Sequence, residues 1–109
     1  MPQIKQRLYP EELQSVDAST FAGSYVALGT LVEPSRIMKI TNNSTVDVTL
    51  SWDGGVTDHE YVPTGTFILL DCTSDAGSSG LLEIVAGTVF QVKGAAGTGN
   101  VYLSSYFAR

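Results

Sequence analysis

His59 is the chain's sole histidine, and it stands between two carboxylates in the run Asp53-Gly54-Gly55-Val56-Thr57-Asp58-His59-Glu60. An imidazole beside acidic groups is the residue type that general-base or nucleophile-activating chemistry uses. Nominal nucleophiles are available in the single cysteine, Cys72, and in scattered serines. None of them stands in a Gly-x-Ser-x-Gly elbow or a cysteine-protease signature. The same run offers carboxylate oxygens at Asp53, Asp58 and Glu60, which a hard cation such as calcium would accept. Its spacing departs from the alternating acidic positions of an EF-hand loop. The run therefore reads as a hairpin tip with solvated charges, and His59 as an exposed loop or edge residue. Cys72, ending the apolar stretch Phe67-Ile68-Leu69-Leu70, reads as a small buried hydrophobe.

Other constellations thin out on the same grounds. Gly94-Ala95-Ala96-Gly97-Thr98-Gly99-Asn100 has the glycine content of a phosphate loop. It lacks the following Lys and Ser/Thr, and strand-like residues flank it where a helix is needed. It reads as a flexible hairpin connection. Asp47 and Asp53 could be paired as glycosidase carboxylates, but sequence does not set the separation that mechanism requires. The overlapping sequons Asn42-Asn43-Ser44 and Asn43-Ser44-Thr45 have no secretory signal before them, so they read as chance matches. The expectation is a protein that is not an enzyme, with no catalytic residues, no metal and no cofactor.

The elements that would position any site are strands. Arg36–Thr41, Thr45–Trp52, Thr66–Cys72, Leu81–Val85, Thr88–Lys93 and Val101–Phe107 are rich in β-branched, leucine or aromatic residues. Turn signals separate them at Asn42-Asn43-Ser44, Asp53-Gly54-Gly55, Pro63-Thr64-Gly65 and Ala86-Gly87. Such regular punctuation belongs to an antiparallel sandwich or barrel. In Thr45–Trp52, Val46, Val48, Leu50 and Trp52 share one face, and Thr45, Asp47, Thr49 and Ser51 share the other. The first set should be core. Asn42-Asn43 is the expected hairpin turn before it. Gly23 and Gly29 inside Phe21–Val32 predict a bent or bulged strand. In Val101–Phe107 the face of Val101, Leu103, Ser105 and Phe107 opposes that of Tyr102, Ser104 and Tyr106. Both faces are large, which predicts cover on two sides, one of them from another subunit.

The 109 residues, 43% of them hydrophobic, suffice for one domain with its own core and no disulfide. The fold expected is all-β: a single antiparallel β-sandwich, jelly-roll-like, over 21–109. It carries an N-terminal arm over 1–20, with either a short helical turn after Pro10 or an extended course. Eleven acidic against six basic residues, net charge −5, argue against nucleic-acid binding. Lys5, Arg7, Arg36, Lys39, Lys93 and Arg109 are scattered rather than gathered. No apolar run is long enough for a membrane helix, and the polar N-terminus has no signal region. The expectation is a soluble protein made in a cytoplasm.

Four segments carry a resemblance. Pro34-Ser-Arg-Ile-Met-Lys-Ile-Thr-Asn-Asn43, Val46-Asp-Val-Thr-Leu-Ser-Trp-Asp-Gly54, Asp58-His-Glu-Tyr-Val-Pro-Thr-Gly65 and Lys93-Gly-Ala-Ala-Gly-Thr-Gly-Asn-Val-Tyr-Leu-Ser104 are similar to segments of small structural proteins of tailed bacteriophages. The resemblance covers roughly 34–108 and rests on strands and turns. It implies a virion component, most like the capsid cement or decoration proteins. These bridge neighbouring major capsid subunits and carry no catalytic residues. The implied partners are the major capsid protein and further copies of the chain, as a homo-oligomer on the particle. Lattice contacts of this kind gain from multiplicity, and an arm can pair with a neighbour's sheet edge. By position and residue type the expected contacts are Lys5, Arg7, Tyr9 and Pro10 in the arm, then Tyr102 and Tyr106. Two alternatives remain: a neck, tail or fibre-base component, and a carbohydrate-binding module with Trp52 as its platform.

Overall fold

A computed structural model describes residues 8–72 and 84–108 of the chain. Among these described residues the strand chemistry organises into nine strands and a single 3₁₀ turn: β1 (Leu8–Pro10), β2 (Gln14–Asp17), the turn Ala18–Thr20, β3 (Val26–Thr30), β4 (Ser35–Ser44), β5 (Val48–Ser51), β6 (Glu60–Val62), β7 (Phe67–Asp71), β8 (Val89–Lys93) and β9 (Gly99–Ala108). They form two antiparallel sheets. One has the order β1-β9-β4-β7, with β2 also paired to β9. The other has the order β3-β8-β5-β6.

That order has a simple generator. With β1 and β2 taken as one interrupted strand, the chain pairs first with last and then inward: β1/β2 with β9, β3 with β8, β4 with β7, β5 with β6. It is one long hairpin of nested antiparallel pairs. Rolling that ribbon brings β9 against β4 and β8 against β5, which splits it into two sheets. The result is the jelly roll, an arrangement that packs two Greek keys face to face.

The inner faces interdigitate as alternation requires. Met38, Ile40, Val101 and Leu103 come from the long sheet, and Leu28, Val48, Leu50, Val62, Phe90 and Val92 from the short one, all buried. Each such side chain contributes roughly 1.5–3 kcal/mol of burial. Val48 and Leu50 lie inward as the alternation predicts. The regular strand is shorter than Thr45–Trp52, however, and Val46 and Trp52 only partly enter the core. The bulge expected in Phe21–Val32 is present: pairing shifts between Ala27 and Gly29, so Leu28 is the extra residue and turns inward.

Several expectations are corrected. Asn42 and Asn43 form no turn; they continue β4, and the chain then crosses to the other sheet. Asn42 is fully buried, and its amide ties the sheets together. Its Nδ2 donates to Val46 O and Val62 O, both at 2.9 Å, and its Oδ1 accepts from Ser44 N and Ser44 Oγ. Gly94–Asn100 is not a hairpin connection either, because β8 and β9 belong to different sheets. Glu60, read as the end of a polar hairpin tip, instead begins strand β6. Of Leu81–Val85, residues 81–83 lie outside the described residues, and Ile84 makes a single bridge to Ser35.

The described part of the expected arm, residues 8–20, is built into the long sheet. β1 and β2 pair with β9, and the turn at Ala18–Thr20 is capped by Asp17, whose Oδ1 accepts from Ser19 N at 2.9 Å. Side chains finish the attachment. Gln14 Nε2 donates to Thr30 O and its Oε1 accepts from Thr30 N, so one amide imitates a ladder pair between β2 and β3. Glu11 accepts from Val32 N, Ser35 Oγ and Ser105 Oγ.

Candidate interaction surface

The outer face of the long sheet is set by the pairing of β9, β4 and β7. Three rows run across it: Tyr106, Ile37 and Asp71; Ser104, Lys39 and Leu69; Tyr102, Thr41 and Phe67. β1 and β2 add Pro10 opposite Tyr106 and Ser15 opposite Tyr102. Phe67 and Leu69 are 56% and 53% exposed, and Tyr106 is 38% exposed. Lys39 lays its ammonium over the Phe67 ring, 4.5 Å from the centroid, which suits an exposed cation above an aromatic face. Lys39 and Asp71 are the charges in these rows. Aromatic and aliphatic side chains of β9, β4 and β7 thus share this outer face.

The expected contact residues divide across this geometry. Pro10, Tyr102 and Tyr106 belong to the outer face. Tyr9 pairs with Phe107, on the opposite face of the ladder, and stacks on its ring at 5.7 Å. Lys5 and Arg7 lie outside the described residues. Sequence reasoning missed Ile37, Lys39, Phe67 and Leu69. The signal lies in Phe67-Ile68-Leu69-Leu70, where apolar residues occupy both alternating sets.

The residues with nominal chemistry are committed to turns in the other sheet. Asp53 Oδ1 accepts from Ser51 Oγ, Val56 N and Thr57 N at 2.8, 3.1 and 3.0 Å, closing the loop between β5 and β6. These donors, the Thr57 backbone foremost, hold its carboxyl down to about 2. His59 is half-buried rather than exposed. Its ring stacks on the Trp52 indole at 4.2 Å and its Nδ1 accepts from Trp52 N at 3.3 Å, which occupies the lone pair a general base would use. Phe90 packs on the same indole at 5.6 Å, so Trp52 is enclosed rather than presented as a platform. Asp58 takes the Tyr25 hydroxyl and a salt bridge from Lys93 at 3.1 Å. The Tyr25 hydrogen bond, then Lys93, lowers its carboxyl below the ordinary value. Desolvation first, and then Asp58, push the Tyr25 phenol up to about 12. Asp47 is lowered by the Tyr61 hydroxyl and Thr64 N.

Cys72 follows β7 in the long sheet, half-buried, with its backbone bonded to Arg36, whereas His59 belongs to the short sheet. Among the described residues no three His, Cys, Asp or Glu side chains converge, and no cleft opens. Comparison with family models, with curated proteins and with solved structures found no match. The strand order therefore carries the classification, a jelly-roll β-sandwich with a broad apolar outer sheet face.

Proposed function

We propose that this chain is a non-enzymatic structural protein of a tailed-phage virion, a cement or decoration protein that bridges and stabilises major capsid subunits. The observation that carries this reading is the outer face of the long sheet, where Tyr106, Ile37, Leu69, Tyr102 and Phe67 stand together on a rigid scaffold. Contiguous apolar surface of this kind marks interaction sites on folded proteins. Tyrosine adds a hydroxyl that can stay wet at the rim of a contact. The resemblance of 34–108 to small phage structural proteins supplies the kind of partner. The use of His59, Asp53 and Asp58 in holding turns favours binding over chemistry.

The test is copy number in purified particles, by quantitative mass spectrometry against the major capsid protein. Hundreds of copies in a simple ratio to the shell subunit are expected, with binding to expanded shells and not to procapsids. A handful, near a multiple of three or six, would move the protein to the neck, tail or fibre base. Absence from particles would overturn the virion reading.

A further inference from the structure

We propose that His59 is an acid-responsive cover on Trp52. As a neutral imidazole it closes one face of the indole and caps the Trp52 amide; once protonated it turns to Asp53 and uncovers that face. The device is independent of the virion reading.

In the arrangement the structure shows, the His59 ring lies nearly parallel to the indole, with 4.2 Å between centroids and 11° between planes. Its Nδ1 accepts from Trp52 N at 3.3 Å, just past the end of β5. A neutral imidazole has one nitrogen with a free lone pair and one with a proton, whereas the imidazolium has two donors and no acceptor. Protonation therefore sets the Nδ1 proton against the Trp52 N–H. The charged ring cannot keep this place.

A second arrangement has its partner close by. Nε2 stands 3.8 Å from Asp53 Oδ2, near enough for attraction and too far for a hydrogen bond. Hydrogen bonds from Thr57 foremost hold the Asp53 carboxyl down to about 2, so it is a carboxylate wherever His59 changes charge. A turn of the imidazolium toward it makes a charge-assisted hydrogen bond. Among the described residues Asp53 is the charge at ion-pair distance from the ring. Asp58 is turned to the Tyr25 hydroxyl and Lys93, Glu60 is exposed at the start of β6, and β8 presents the uncharged Phe90 to the indole. His59 N donates to Leu50 O at 2.8 Å, which anchors the backbone while the side chain swings. The side chain is 24% exposed, so solvent protons reach it.

Trp52 is the chain's sole tryptophan, and its fluorescence reports the cover. From about pH 8 to about pH 5, the window in which histidine changes charge, emission should shift to the red and acrylamide should quench it more strongly. Far-ultraviolet circular dichroism should stay constant, since the strands do not depend on this contact. Exchange of the Trp52 amide, corrected for its intrinsic pH dependence, should quicken about fivefold, the worth of one net hydrogen bond. Above the transition, imidazole ¹⁵N shifts should report the Nε2–H tautomer. H59F, which keeps a flat ring on the indole and cannot titrate, should show no transition. D53N should move the midpoint to lower pH by about a few tenths of a unit, as loss of a half-exposed ion pair would. Emission and amide exchange that stay flat in the parent protein, or an Nδ1–H tautomer, would overturn the proposal. So would a transition that survives H59F, or a midpoint that D53N leaves in place.

Discussion

Asn42 shows how one side chain can bind two sheets. A buried amide costs free energy unless each polar atom has a partner, and here both ends are used. Replacing Asn42 with Ala removes its donor from Val62 O in the interior and leaves Val46 O with Ser44 Oγ alone. That change should cost about 2–4 kcal/mol, read as a lower urea midpoint at unchanged slope. The carboxylates act at the surface and set the pH limits. Asp53 has its folded value depressed to about 2, so its contribution is present above the ordinary carboxylate range and lost as pH falls through about 2. Asp17, Asp47 and Asp58 are shifted in the same direction. Tyr25 has the opposite sign: raised to about 12, it contributes fully below the ordinary phenol value and is lost as pH rises toward 12. Thermal midpoints should therefore fall between pH 4 and 2 and again above pH 10. D53N should flatten the acid limb, and Y25F the alkaline one.

At the scale of elements, β9 and β4 are the axis of the molecule. Each is ten residues long, they pair along most of their length, and both lie inside the long sheet. β4 carries a bulge at Arg36, where pairing with β9 shifts between Ser35 and Ile37. This explains why Ser35 and Arg36, adjacent in sequence, are both buried. The seam between β2 and β3 depends on side chains instead of a ladder. Gly29 permits this, since a Cβ there would stand 2.6 Å from Gln14 Oε1. Q14A should leave the core intact but speed amide exchange at Thr30, its bonded partner, by about five- to tenfold, on the order of 1 kcal/mol for a net hydrogen bond. Exchange at Thr30 equal to that of the parent protein would show that the seam is held by packing alone.

The whole molecule is a nest of antiparallel pairs, and its outermost pair joins β1 and β2 to β9 at the far end of the chain. Most pairings bring together residues distant in sequence, so loop-closure entropy must be met before the contacts form. Refolding followed by Trp52 fluorescence should take milliseconds to seconds, with one main phase. The same topology explains what could be read in advance. All-β character, the antiparallel pairing and the inward set Val48 and Leu50 were legible, because period-two alternation is a local property of the chain. So was the bulge near Gly29. The turn expected at Asn42-Asn43 failed because asparagine satisfies a buried corner as well as a turn, and only the approach of Val46 and Val62 distinguishes the two. The glycine-rich stretch before β9 failed because flexibility does not say which sheet the next strand joins. The outer face divided in the same way. Alternation placed Tyr102 and Tyr106 on one face and position in the N-terminal segment singled out Pro10, while Ile37, Lys39, Phe67 and Leu69 emerged when β4 and β7 took their places beside β9. Alternation determines which residues share a face of one strand. Which strands lie side by side, and so which faces merge into a surface, is decided by long-range pairing alone.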